Sequence, residues 1–404
     1  MTPAPPPPPP GAVRFEKRPE GMSDHDYLEL WRARGPVAVD RHGILTTFSQ
    51  AHLERVTDPR LTRQVELEIV AVRGLTSGPI FDFYANSMLF SNGARHAARR
   101  RPLARAFAFP LMEALRPRLR AVAEDLVRPC LGAGPVDFLD RVAGPLPARV
   151  MAMILGLGEA ELPRFAARVQ SSMRALALRE GEDWAGAAAD LGALNDQVTA
   201  LLADRGARPA GDFLSDYVAA VADAELTEAE VRMQIVSVVL AGADTTRMAL
   251  ASTLSQLLQR PEQWAALVAD PEGRKAAAAA EGLRFDPPVG ALPRVAVAGF
   301  EIDGVTVSPG HVIAPSVIAA LRDPAVHAAP DRFDLARADH PRWHPVFGAG
   351  AHRCLGEALA RAELEEALAA LARLAPRAEL AGPPPRLSGL TGARAIDAMT
   401  VALA

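Results

Sequence analysis

Apolar residues recur at three- and four-residue spacing over most of the chain, the period of helices that bury one face. The pattern predicts helices over Asp24–Arg34, Arg95–Phe109, Leu111–Val127 and Pro147–Leu155, then over about Glu159–Leu178, Trp184–Asp204 and Asp212–Ala222. The longest starts at Thr227, where Thr227 and Glu230 have the spacing of a capping box. It runs without proline to Arg260, and Pro261 stops it. At about 1.5 Å per residue it forms a rod of roughly 50 Å. With apolar residues from Val231 to Leu257, such a rod is expected to cross a domain and to be buried along much of its length. Alternating patterns are few and late: Arg294–Val297, Phe300–Ile302 and Val305–Val307, broken by Gly299, Gly304 and Pro309. From Asp323 to Cys354 the chain is irregular, with Pro324, Pro330, Pro341 and Pro345, and a last helix follows over Leu355–Leu374. An irregular stretch of that length in a compact domain points to function. The expected fold class is mainly α with a minor β part, as one domain over 13–404 behind a disordered proline-rich tail at 1–12.

Composition narrows the chemistry more than the fold. The chain has 404 residues, 49% of them hydrophobic and 23% charged, an ordinary globular balance. Its two cysteines, Cys130 and Cys354, are too few for a disulfide scaffold or a thiolate-bound zinc or iron–sulfur cluster. A net charge of −4 argues against nucleic acid as a partner. The N-terminus lacks the basic and apolar segments of a signal peptide, and no uninterrupted apolar run reaches the ~18–20 residues of a membrane span. A cytoplasmic monomer is expected. Cys130, following an apolar helical stretch and before Leu131-Gly132, reads as a packed small residue.

Cys354 has different neighbours. It lies in Phe347-Gly348-Ala349-Gly350-Ala351-His352-Arg353-Cys354-Leu355-Gly356, just before a helix. Gly348 and Gly350 permit positive φ, and a helix start offers free N–H groups that favour a thiolate. Gly356 removes a side chain where a flat group could approach. A thiolate backed by N–H donors suits the axial position of an iron porphyrin. A dinucleotide phosphate loop would need Gly or Ala at Arg353 and a preceding βαβ unit. Zinc on His344, His352 and Cys354 would lack a fourth ligand and the usual spacing. A merely packed cysteine is the remaining rival.

Within the long helix, Ala241-Gly242-Ala243-Asp244-Thr245-Thr246 carries an interior glycine that costs about 1 kcal/mol against alanine. Ala241 and Gly242 leave a groove for a planar group, and the Thr245 hydroxyl can bond the carbonyl of residue 241, loosening and widening the helix. His96 and Arg100 share a helix face, Arg294 opens a strand after Pro293, and Glu281 and Arg284 stand three apart.

The segment Phe347 to Gly356, its continuation Glu357-Ala358-Leu359-Ala360-Arg361-Ala362-Glu363-Leu364, and these accompanying motifs in the same order resemble the cytochrome P450 family, in particular its soluble bacterial members. The resemblance implies a P450-like fold with the long central helix over a haem b group, and Cys354 as the axial ligand of the iron. It further implies that Phe347, Gly348, Gly356, Ala241 and Gly242 line the cofactor and that His96, Arg100, Arg294 and His352 bind the propionates. Thr245 would act on bound O2 while Asp244 relays protons. Glu281, Arg284 and Arg332 would form a buried ion network with a structural role. Two departures stand out: Ser91-Asn92-Gly93-Ala94-Arg95 replaces an acidic, proline-rich lead-in, and Pro102 lies inside the helix that bears His96.

The implied reaction is monooxygenation of a small hydrophobic molecule, with electrons passing from NAD(P)H through a reductase and a ferredoxin. Arg101 and Arg105 are candidates for a basic docking patch. Ile80, Phe81, Phe83, Tyr84, Met88, Leu89 and Phe90 are candidates for the substrate pocket, with Leu240, Ala241, Val289, Leu292 and Leu390. A haem-thiolate sensor without turnover is the alternative, and the Asp244–Thr245 pair favours the enzyme.

Overall fold

The structure, a computed structural model, describes residues 9–107, 109–177 and 184–404. The proline tail expected at 1–12 and the end of the helix expected to reach Leu178 fall wholly or partly outside them. The chain forms two compact units. The first contains Met1–Val65, Met248–Cys354 and Ala375–Ala404, and the second contains Glu66–Arg247 and Leu355–Leu374.

The second unit is helical. Its helices include Pro79–Asn86, Gly93–Ala106, Phe109–Val127, Pro145–Leu155, Leu162–Ala177, Ala185–Ala207 and Phe213–Val221, with Glu357–Leu374 returning at the end. Most match the predicted spans within two or three residues. The Phe109–Val127 and Glu357–Leu374 helices pack together, and Arg116 and Arg120 pair at 2.8 Å with Glu365 and Glu366 respectively. Pro102 does not end its helix, which runs from Gly93 to Ala106.

The long helix spans Glu228–Leu258. Its expected capping box is present: the Glu230 amide donates to Thr227 Oγ1 at 3.3 Å, and the Thr227 amide donates to Glu230 Oε2 at 3.0 Å. By length and composition this helix could cross a membrane, but 67% of its most apolar stretch is buried inside the protein, as in a core helix.

The first unit holds a six-stranded sheet. Its order is Val13–Arg14, Val37–Val39, Leu45–Thr47, Val312–Pro315, Arg294–Ala296 and Thr62–Gln64. Of these strands only Arg294–Ala296 was predicted. The two-stranded pairing of Phe300–Ile302 with Val305–Val307 has the predicted bounds. Val37, Val39, Leu45, Ile302, Val305, Val307 and Ile313 form one core cluster here. The register sets Arg294 opposite Gln64 on one side and Ile313 on the other.

Two further helices, Pro261–Ala269 and Pro271–Phe285, each begin on a proline at the first helical position. Pro261 therefore both ends the long helix and opens the next one. At Gly282 the Pro271–Phe285 helix meets the long helix so closely that a Cβ would lie 2.1 Å from Thr253 Oγ1.

Candidate active site

The loop before Cys354 is held by its own backbone. The Cys354 amide donates to the Phe347 carbonyl at 2.7 Å, the Gly348 amide to Pro345 at 2.9 Å and the Arg353 amide to Gly350 at 3.1 Å. Gly348 and Gly350 have φ of 69° and 64°, the left-handed region that glycine occupies without strain. A Cβ at Gly350 would also press on the Thr57 carbonyl at 3.2 Å. Phe347 is buried, His352 is half-buried and Cys354 is exposed. The helix starts at Glu357, where the Ala360 amide bonds the Gly356 carbonyl at 2.8 Å, so Cys354 lies just ahead of the helix rather than within its first turn.

The zinc alternative fails on this geometry. His344 is buried, its Nε2 is 3.3 Å from the Ala280 carbonyl, and its Nδ1 accepts from the Val346 amide at 3.4 Å. Among the described residues no cluster of three potential metal ligands occurs. Cys130 is packed, as expected, with its Sγ 3.6 Å from the Leu126 carbonyl.

The strand bearing Arg294 adjoins this loop, since a Cβ built on Gly348 would contact Leu292 at 3.8 Å. Arg294 is buried, hydrogen bonds Gln64 Oε1 and donates to the Pro293 carbonyl at 3.1 Å. No carboxylate among the described residues pairs with it, and burial pulls its pKa down to about 10. A buried cation held only by neutral partners suits an anionic ligand.

Glu281 anchors the irregular stretch. It is fully buried, and its two oxygens accept Nε and Nη2 of Arg284, both at 2.8 Å, and the Asp334 amide at 2.8 Å. The third basic partner is Arg337, at 3.2 Å, with His340 at 3.5 Å. This corrects the expectation for Arg332. The Arg332 side chain is 70% exposed and pairs with Asp334, and only its carbonyl enters the network, accepting from Arg284 at 3.0 Å and Arg337 at 2.8 Å. Five residues further along, Arg337 can turn inward where Arg332 faces solvent.

In the helical unit, Thr245 Oγ1 donates to the Ala241 carbonyl at 2.8 Å, as anticipated. The expected widening is absent: the segment stays α-helical, because a carbonyl with two lone pairs accepts the hydroxyl without surrendering its ladder bond. Asp244 lies 3.7 Å from Arg247. Ala241 is exposed although Val239, Leu240 and Ala243 around it are buried. A Cβ at Gly242 would make ordinary contact with Met151 Sδ at 3.7 Å, so packing against that side chain does not demand the glycine.

His96 is buried and Arg100 half-buried on one helix. Burial, then Arg100 and Arg99, push the His96 pKa down to about 4. The imidazole is therefore neutral in the folded chain and protonates in the unfolded chain below about 6.5. Because the folded state binds fewer protons, stability should fall with pH across that interval, by at most about 3 kcal/mol. We expect haem-free protein to lose stability from pH 6.5 to 4 in chemical denaturation. His96→Gln should flatten that dependence, and an unchanged profile would refute the assignment.

Arg99, next to Arg100 and Arg101 in the chain, is a buried structural residue. It pairs with Glu230 at 2.7 Å and donates to the carbonyls of Ser87 at 3.0 Å and Ala85 at 2.9 Å. Gln234, one turn along from Glu230, donates to the Asn86 carbonyl and accepts from the Met88 amide, both at 2.8 Å. Ser237 Oγ meets Ser87 Oγ at 2.8 Å. One face of the long helix thus grips segment 85–88 and continues, at four-residue steps, to Ala241 and Thr245. Sequence reasoning missed this clamp, although polar residues at 230, 234 and 237 in an apolar helix were its visible signal.

The aromatic segment held there is mostly core. Ile80, Phe83, Tyr84 and Met88 are buried, and Tyr84 stacks on Phe90 with ring centroids 4.1 Å apart. Phe81, Leu89 and Phe90 are half-buried, as are Val289, Leu292 and Leu390 in the other unit, whereas Leu240 is buried.

The cysteine on its glycine loop and the buried guanidinium, both in the first unit, suit a thiolate-bound group that carries a carboxylate. The helical unit, considered by itself, holds a neutral histidine beside an arginine and a small-residue opening on an otherwise buried helix. Comparison with known proteins agrees. The family model described as Cytochrome P450 matches residues 276–373. The plant-inducible cytochrome P450-pinF1 of Rhizobium radiobacter is 40% identical over 94% of this chain and 90% of its own length. Luteothin monooxygenase of Streptomyces thioluteus is 33% identical over 87% and 85% respectively. The crystal structure of CalO2 superposes with a TM-score of 0.86 at 26% identity, covering 93% of this chain and 95% of that one. The chain belongs to the cytochrome P450 family and is a haem-dependent monooxygenase.

Proposed function

We propose that this enzyme inserts one atom of O2 into a small hydrophobic molecule and reduces the other to water. Two protons and two electrons are consumed, the electrons coming from NAD(P)H through a separate reductase and ferredoxin. The carrying observation is Cys354 on a backbone-locked loop with two left-handed glycines. When bound, the haem supplies O2 activation, with the thiolate pushing electron density toward it. Cys354 would bind its iron, Phe347, Gly348, Gly356, Ala241 and Gly242 would lie against it, and His96, Arg100, Arg294 and His352 would hold its carboxylates. Residues 13–404 act as one haem domain, soluble and cytoplasmic.

Thr245 holds a proton at Oγ1, and its bond to the Ala241 carbonyl fixes where that proton points. Asp244 carries protons inward from solvent, alternating between Arg247 and the interior. The half-buried Phe81, Leu89 and Phe90 suit an apolar substrate. Relatives named for erythromycin and luteothin chemistry support a natural-product-like compound.

Thr245→Ala should retain haem and substrate binding while product per NAD(P)H consumed drops severalfold, the surplus appearing as hydrogen peroxide. Parallel measurement of NAD(P)H, product and peroxide checks this, and unchanged coupling would remove Thr245 from proton handling.

A further inference from the structure

Arg394 is 1% exposed, and a guanidinium so deeply buried needs both an anion and a set of acceptors. It has them. Nη1 donates to Asp286 Oδ1 at 2.5 Å and to the Pro287 carbonyl at 2.9 Å. Nη2 donates to Asp24 Oδ2 at 3.1 Å and to the Leu387 carbonyl at 2.7 Å. Asp24, the first residue of the Asp24–Arg32 helix, also accepts the Gly389 amide at 2.9 Å. One cation and one carboxylate thus hold both ends of the turn 389–393, whose stem is closed by two bonds of 2.9 Å between Ser388 and Ala395.

The turn lies directly on the backbone of Gly290. A Cβ there would be 2.5 Å from the Leu390 carbonyl carbon, and the Gly290 amide donates to the Gly392 carbonyl at 2.8 Å. Two residues on, Leu292 is the side chain that reaches Gly348 of the cysteine loop. Beyond the turn, the Ile396 amide donates to Met248 Sδ at 3.2 Å, and Met248 follows Thr245 by three residues on the long helix. Leu390 is half-buried against the cluster of Tyr27 and Trp31, whereas Thr391, Gly392 and Ala393 at the tip are exposed.

We propose that Arg394 is a positioning residue for the monooxygenase reaction: its buried clamp fixes the turn 389–393 as one wall of the substrate space and so governs which molecules fit. The inference rests on the haem monooxygenase reading. A turn that carries Gly389 and Gly392 is costly to order, and paired charge outside it supplies the restraint. Arg394 is enclosed and bonded to four acceptors, so its effect passes through the turn and not through contact with substrate. The tip residues take no part in the clamp, which leaves them available to a ligand.

The test uses purified ferric holoenzyme and two iron-binding probes, imidazole and phenylimidazole, titrated through the red shift of the Soret band. Both bind iron through a ring nitrogen, and only the larger one extends to the walls around it. Arg394→Lys keeps the charge but loses the planar fork that reaches both carboxylates. It should weaken phenylimidazole about tenfold and leave imidazole within about twofold, the effect of a displaced wall at an intact iron. Asp24→Asn, which loosens the same turn from its other end, should act in the same direction. Thr391→Trp should exclude phenylimidazole and still admit imidazole. Unchanged phenylimidazole affinity in both Arg394→Lys and Asp24→Asn would overturn the proposal, as would a Thr391→Trp protein that binds both probes like wild type. Equal weakening of the two probes in Arg394→Lys would also overturn it, because a general loss of structure does not discriminate by size. A wild-type protein with no Soret shift under imidazole would instead refute the haem reading beneath it.

Discussion

Cys354→Ala should remove the thiolate signature from the reduced, carbon-monoxide-bound spectrum and lower turnover by more than about a thousandfold, the scale seen when a group essential to the chemistry is deleted. The loop should survive the change. Its bonds from the Cys354 amide to Phe347 and from the Arg353 amide to Gly350 are backbone bonds that alanine also makes. Loss of signal therefore reports the sulfur, not the fold. Cys130 cannot replace it, being 1% exposed and engaged with the Leu126 carbonyl. Cys130→Ala should keep the full spectrum at a cost of about 1 kcal/mol or so in stability. A Cys354→Ala protein that retained the thiolate band would overturn the assignment of the ligand.

The second large effect concerns stability. Glu281→Gln should destabilise the protein by about 3–5 kcal/mol and sharply reduce haem content, because it leaves the fully buried Arg284 guanidinium with no carboxylate among the described residues, while Arg337 keeps only Asp339. The carboxylate binds Arg284, Arg337 and the Asp334 amide at once, so it joins the Pro271–Phe285 helix to the irregular stretch leading toward Cys354. Arg337→Leu should show a comparable loss. Arg332→Ala should stay within about 0.5 kcal/mol, since its side chain is on the surface and its carbonyl remains. Denaturant titrations and haem-to-protein ratios distinguish the two arginines. Equal effects would restore Arg332 to the network.

The contrast between these arginines indicates what the sequence made legible. Long amphipathic helices, the Thr227 cap and the Thr245 back-bond depend on residues within four positions of each other, and they appear as read. Three-residue strands such as Val37–Val39 and Leu45–Thr47 are too short to display a period, and both are fixed by partners distant in the chain. The alanine-rich Pro271–Phe285 helix offers little contrast between its faces, so its extent was invisible although Glu281 and Arg284 were noticed. Site residues were legible as a set because glycines, a cysteine and charges recur in a fixed order. Which of two nearby arginines turns inward depends on the course of an irregular chain. Likewise nothing local in the sequence separates Arg99, with its four buried hydrogen bonds, from its arginine neighbours.

The clamp on segment 85–88 has a consequence for how selectivity can change. Arg99 and Gln234 satisfy the carbonyls of Ala85, Asn86 and Ser87 and the amide of Met88, and all four are main-chain atoms. Apart from the Ser87 hydroxyl, which meets Ser237, the frame is therefore indifferent to which side chains it carries. Leu89 and Phe90 lie next to the gripped stretch and are only half-buried, so substitution there redraws the wall without redrawing the scaffold. Insertions or deletions between 85 and 88 would instead misalign the bonds and strand a buried arginine. The segment behaves as a bracket for an interchangeable faceplate: Leu89 and Phe90 are replaceable, whereas the length of 85–88 and the Ser87 hydroxyl are not.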